Sequence, residues 1–257
     1  MTDKNNSLHI ISSLLSLIFL CGCVTIYNPA TGKQELILID TQQEVSLGKT
    51  LSRQIEAEKP LSKDKDKITR LKKIGTKIAG ASDRTDIEYH FRLIDDEELN
   101  AFALPGGFIY VNSGLMNIAS DDELACVLAH EVGHIAARHS VKKLQTALGY
   151  QIIISLAFKN ASAIDTKRAL NIIYSVTSLG YSRADERLSD KLSVRYAQRA
   201  GFKPQAMISF LKKLKKEQER QGVSYHLAFL SSHPAIDERI KNTEEEIKKL
   251  RNDPAIH

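Results

Sequence analysis

The chain has 257 residues, with 36 Lys and Arg against 31 Asp and Glu, a formal net charge of +5. Its 42% hydrophobic and 26% charged content, with only 13 Gly and 6 Pro, excludes a disordered tail, a collagen-like repeat and a polytopic membrane protein, and suits one domain of generous size. Aromatic residues are scarce at 6% and Trp is absent, so aliphatic side chains must fill most of the core.

The N-terminus reads as an export signal. Lys4 gives a weak positive region, and Ile10 to Leu20 form an apolar run of signal-peptide length, too short to span a bilayer. Leu20-Cys21-Gly22-Cys23 follows at once and resembles the bacterial lipoprotein cleavage box. That likeness implies removal of residues 1–22 and lipidation of Cys23, and Val24 rather than Asp after it suggests, by analogy with sorted lipoproteins, retention in the outer membrane. Residues 23–35 read as a lipid-tethered linker with turn signals at Asn28-Pro29 and Thr31-Gly32, and residues 36–257 as the main domain. Each buried acyl methylene contributes about 0.8 kcal/mol, so several chains hold a protein at a membrane without a spanning helix. With Cys21 removed and Cys23 blocked, Cys126 is the one free thiol, read as a small buried residue.

Further along, Leu36 to Ile39 read as a short strand, and Thr41-Gln42-Gln43-Glu44 as a capping box opening a helix towards Glu58. A second helix is expected over Lys63 to Ala79, with Ile68, Leu71, Ile74 and Ile78 on one stripe. Ile87 to Leu93 alternate at period two, Pro105-Gly106-Gly107 form a turn, and Phe108 to Val111 read as a strand; a small antiparallel sheet follows. Ser120-Asp121-Asp122-Glu123 is a second capping box, opening a long helix through Leu148. Ala147 to Phe158 and Ala169 to Leu179 are apolar helical segments, and Ile152 to Phe158, too short to cross a core of about 30 Å, reads as core packing. Helices are expected over Ser182 to Ala200, Pro204 to Glu219 and Ala235 to Arg251. The fold class is α+β and mostly helical.

The long helix carries His130, Glu131, Val132, Gly133 and His134. Residues four apart on a helix share a face, so His130 and His134 address one ion while Glu131 reaches a water beside it. Gly133 costs about 1 kcal/mol inside a helix, which argues that another group approaches its backbone closely. A catalytic zinc takes three protein ligands. A third His six residues after the second is excluded, because Ser140 stands there, and His139 falls about 140° around a continuous helix from His134. A later carboxylate remains, and spacing alone leaves Glu186 and Asp185 equal, with Asp190 four residues after Glu186 placed to accept the second N–H of a ligand histidine.

These pieces together resemble the zinc endopeptidase family that includes HtpX, the CAAX prenyl proteases, the Oma-type mitochondrial proteases and bacterial lipoproteins such as BepA and LoiP. The likeness rests on Asn100-Ala101-Phe102-Ala103-Leu104-Pro105-Gly106-Gly107, Ser113-Gly114-Leu115, Ala129 to His134, Ser182-Arg183 through Glu186 to Asp190, and His233-Pro234 followed by Arg239. It implies a zincin-like (gluzincin) metalloprotease domain, one Zn2+ held by His130, His134 and Glu186, and Glu131 as general base. By the same likeness His233 is a catalytic residue near the metal, steadying the tetrahedral intermediate or occupying the open site in a latent state; read without it, His233 is a plain helix-entry residue. The expected substrate is an extended peptide pairing with the sheet edge at Asn100, Ala101, Phe102 and Ala103. Substrates are then unfolded or misassembled envelope proteins, with a chaperone-like role in outer-membrane protein assembly as the rival reading. A basic run at Lys212, Lys213, Lys215 and Lys216 lies beside an apolar stripe of Ile208, Leu211 and Leu214 without aromatic platforms, and reads as a solvated face rather than a nucleic-acid site.

Overall fold

A computed structural model describes residues 25–148, 171, 180–221 and 228–252. The leader, Cys23, and the apolar segments from Gly149 to Leu179, including Ile152 to Phe158, lie outside the described residues apart from Asn171.

The segment expected to be a tether folds as a hairpin of β1 (Thr25–Asn28) and β2 (Lys33–Leu36). Its turn signals act as read: the Asn28 carbonyl accepts from Gly32 N–H at 2.8 Å and its side chain from Ala30 N–H at 3.0 Å. The strand anticipated at Leu36 to Ile39 therefore ends where it was expected to begin, and Ile37 and Ile39 leave it to enter the core.

Helix α1 (Thr41–Glu58) starts one residue earlier than the sequence pattern indicated. Its capping box joins Asp40 and Gln43, the Asp40 carboxylate accepting from Gln43 N–H at 2.7 Å. Helix α2 (Lys65–Gly80) buries Leu71, Ile74 and Ile78 as anticipated. Strands β3 (His90–Ile94), β4 (Ala101–Ala103) and β5 (Phe108–Asn112) form a sheet in the order β3-β5-β4. The sheet is mixed rather than antiparallel: β4 and β5 pair as a hairpin, but β3 runs parallel to β5. The cause is the connection from Asp95 to Asn100, which carries the chain past the position of β5 before β4 begins.

Every residue of β5 is buried because both sheet faces are covered. Ile109 and Val111 join a core with α2, helix α4 (Asp121–Ala136) and the later helices, while Phe108 and Tyr110 join Leu47, Leu51 and Ile55 of α1. The turn before β5 needs its glycines, since Gly106 and Gly107 take φ of 72° and 98°. After the short helix α3 (Ser113–Ile118), Ser120 and Glu123 cap α4 as read.

The expected helix through Leu148 is two helices. Helix α4 ends at Ala136, Arg138 takes φ of 54°, and α5 (His139–Leu148) sets off in a new direction. The break is tertiary in origin: Arg138 is buried against Glu44 (3.2 Å), and its Nη2 donates to Thr41 Oγ1 at 3.0 Å. Helices α6 (Arg183–Arg199), α7 (Ala206–Gln221), α8 (Ala228–Ser232) and α9 (Ile236–Arg251) complete the body. Leu211 and Leu214 of α7 are buried, and Lys213 and Lys215 pair with Glu123 and Asp237. Among the described residues no helix is long and apolar enough to cross a membrane.

Candidate metal centre

Helices α4 and α6 cross at Gly133. A Cβ on that residue would lie 3.2 Å from Leu192 Cβ and 3.3 Å from the Ser189 Cα and carbonyl oxygen, so the glycine lets α6 approach. Ser189 on the facing helix is fully buried and small, and Glu186, one turn before it, reaches the histidines of α4.

His130 and His134 turn their Nε2 atoms towards each other at 3.0 Å. Glu186 stands 3.5 Å from His130 Nε2 through one oxygen and 3.4 Å from His134 Nε2 through the other. His233, from the segment after α8, places Nδ1 at 2.9 Å from Glu186 Oε1. One atom from each of these four side chains falls within 4.8 Å of the rest, and all four residues are buried. Glu131 lies beside them, 3.4 Å from His233 Nε2.

Asp190 Oδ1 lies 3.0 Å from His130 Nδ1 and accepts from Arg239 Nη2 at 2.7 Å. Asp190 as the acceptor would keep the His130 proton on Nδ1 and turn the Nε2 lone pair to the cluster, while Arg239 Nη2, 3.2 Å from the same Nδ1, can only donate. Although burial opposes ionisation most strongly, the neighbouring Arg239 cation and the hydrogen bond from His130 hold the Asp190 carboxyl below its usual range. Burial and the nearby Arg239 cation resist charging of His130, but the Asp190 and Glu186 carboxylates outweigh them and raise it to about 9, so a proton on Nε2 has to leave before that nitrogen can meet an ion. Burial dominates at His134, which is pushed well below its ordinary value, and at Glu131, whose carboxyl is pushed up.

The donor set fits a divalent ion of the zinc type. Both carboxylate oxygens of Glu131, Glu186 Oε2 and His233 Nε2 are buried without a hydrogen-bond partner. An unpaired buried polar atom costs about 1–3 kcal/mol, more when charged, so four in one cluster point to a group that satisfies them. Imidazole nitrogens with a carboxylate are the donors that zinc takes.

Two further residues at the centre escaped the sequence reading. His139, expected to face away, stands with Nδ1 3.0 Å from His134 Nδ1, because the kink at Arg138 swings it back. Tyr181 stacks on His134 at a centroid distance of 3.9 Å and bonds Ser140 Oγ through its hydroxyl at 2.8 Å. Nothing in local spacing signals either contact, since one depends on a tertiary break and the other on the chain leading into α6. Asp185 is engaged in the cap of α6, and Glu186 is the carboxylate that faces His130, His134 and His233. Asn100 precedes β4, Ala101 and Ala103 are buried, and Phe102 is half-buried in this outermost strand. Cys126 is buried with its thiol pushed up to about 12 by desolvation, clear of the metal centre.

A mainly helical body with a small sheet, carrying a buried His-His-Glu-His cluster on an H-E-x-x-H helix, defines a metallopeptidase-type centre. Residues 65–247 match peptidase family M48, and the chain belongs to that family. It is 28% identical over 224 residues to the beta-barrel assembly-enhancing protease of Escherichia coli strain K12, covering 81% of this chain and 45% of that protein. It is 31% identical over 172 residues to the mitochondrial metalloendopeptidase OMA1 of Schizosaccharomyces pombe, covering 66% and 50%. Metalloprotease LoiP of Escherichia coli strain K12 is 28% identical over 156 residues, 60% of each chain. The chain thus spans about half the length of the curated relatives it matches.

Proposed function

We propose that the protein is a zinc-dependent endopeptidase that cleaves unfolded or misassembled proteins of the cell envelope. The observation that carries this reading is the Glu131 carboxylate, buried with both oxygens unpartnered beside a set of three histidines and a second carboxylate. His130, His134 and Glu186 would hold the ion. When bound, zinc supplies Lewis acidity that activates water and polarises the scissile carbonyl. Glu131, kept basic and close, takes the water proton and delivers it to the leaving amine. Asp190 would hold the His130 tautomer throughout. His233, at 3.4 Å from Glu131 and 2.9 Å from Glu186, would either steady the charge developing on the scissile carbonyl or serve as a further donor to the ion at rest.

The outermost strand β4 offers main-chain pairing to an extended substrate, and the buried, unpartnered Oδ1 of Asn100 adds an acceptor at its start. Main-chain recognition tolerates many sequences, which suits unfolded clients. Lipidated Cys23 would tether the protein at the periplasmic face of the outer membrane, with residues 1–22 removed. Incorporation of labelled fatty acid that disappears in Cys23→Ser tests the tether.

The test of the reaction is Glu131→Gln. Zinc content should stay at one per chain and cleavage of an unfolded protein should fall at least about 100-fold, the lower scale of lost acid–base catalysis. Wild-type cleavage by that variant would refute the assignment of the base. A chaperone-like role in assembling outer-membrane proteins, with latent proteolysis, is favoured by the closed site: His130, Glu131 and His134 have no solvent exposure. On that reading the Glu131→Gln protein still supports assembly of a β-barrel client.

A further inference from the structure

The two histidines of α4 are supported unequally. His130 is held by a carboxylate, whereas His134 is held by a second imidazole. We propose that His139 and Asp185 form a positioning relay that fixes the tautomer and ring orientation of His134; this rests on the reading of His134 as a zinc ligand.

The geometry runs through three side chains. Asp185 Oδ1 lies 3.4 Å from His139 Nε2, and its other oxygen is anchored by Ser182 Oγ at 2.7 Å. With that carboxylate beside it, the proposed relay has the His139 proton on Nε2 and leaves Nδ1 as an acceptor. His139 Nδ1 then takes the proton of His134 Nδ1, 3.0 Å away, and the Ser189 hydroxyl approaches the same nitrogen at 3.3 Å. With its proton held there, His134 presents the Nε2 lone pair to the cluster, where His130 Nε2 stands at 3.0 Å. Tyr181 closes the remaining freedom by stacking on the His134 ring, and its own hydroxyl is tied to Ser140. His139 is buried. The relay exists because the chain turns at Arg138; on an unbroken helix this ring would point away from His134.

The experiment uses the full chain and compares His139→Asn with His139→Gln. The Asn oxygen reproduces an acceptor at the Nδ1 position, while the Gln amide falls at the Nε2 position. Zinc dissociation constants from competition with a chromogenic chelator should change less than about threefold for Asn and weaken about 10- to 100-fold for Gln, the scale for lost support of a metal-bound histidine. The visible absorption of the Co2+-substituted protein should match wild type for Asn and shift for Gln. Asp185→Ala should weaken zinc more than Ser182→Ala, which loosens the same helix cap without touching His139. Equal zinc affinity and identical Co2+ spectra for Asn, Gln and wild type would overturn the relay, as would equal effects of Asp185→Ala and Ser182→Ala for its acidic end. Failure of the wild-type protein itself to bind zinc would instead overturn the metal reading beneath it.

Discussion

Asp190 joins two buried groups that would each be costly alone, the His130 imidazole and the Arg239 guanidinium. Removing one partner of a buried ion pair costs about 3–5 kcal/mol because the other charge stays desolvated. Asp190→Ala should therefore lower unfolding free energy by about that amount in urea titration, although Glu186 at 3.4 Å still faces Arg239. Asp190→Asn, which keeps an acceptor, should lose less. Much of this constellation was visible in spacing: His130 and His134 share a helix face, and Asp190 lies four residues after Glu186. Spacing left Glu186 and Asp185 equal and the family resemblance pointed to Glu186; in the fold Asp185 is engaged by the Ser182 cap and lies by His139, while Glu186 meets His130 and His134. Arg239 could be located through the family resemblance, but its contact with Asp190 joins residues 49 apart in the chain and has no local signature.

Among the elements, the turn at Arg138 is the clearest departure from a sequence pattern. Apolar periodicity continues through it, so the chain reads as one helix, and the interruption is imposed by Glu44 on a different element. A non-glycine residue in the left-handed region costs about 1–2 kcal/mol. Arg138→Gly should consequently be more stable than Arg138→Ala by about 1 kcal/mol in equilibrium unfolding, both having lost the ion pair. Gly133 behaves differently: it was read correctly as a point of close approach, and the approaching group proves to be α6 at Ser189 and Leu192. Gly133→Val should push these helices apart, measurably weakening zinc retention during dialysis against a chelator. The mixed sheet was not legible, because alternation identifies strands without fixing the direction of their neighbours.

Across the whole molecule, carboxylates tie distant segments together. Glu35 of the hairpin pairs with Lys142 of α5 at 2.7 Å, Asp96 with Lys59 at 3.0 Å, and Glu123 with Lys213 of α7 at 2.6 Å. Burial opposes ionisation of Glu123, yet the lysine, the Ser120 N–H and the Ser209 hydroxyl together lower it from 4.5. A folded value below the unfolded one gives stability that is fully present above 4.5 and is lost as pH falls through the folded value. Urea midpoints should drop below pH 4.5, and Glu123→Gln should flatten that part of the profile. Ion removal acts on the same scale: at one hundred times the dissociation constant, zinc would add about 2.7 kcal/mol, so chelation should lower the melting temperature by several degrees.

The donors of the centre are unevenly spread, since His130 and His134 lie four residues apart while 103 residues separate His130 from His233. During synthesis the paired imidazoles leave the ribosome well before their carboxylate partner and the last ring. If these residues hold an ion as proposed, the first pair alone would form a bidentate, weakly chelating hook, and tight capture would wait until α6 has docked at the glycine. Loading would then be coupled to the closing stage of folding.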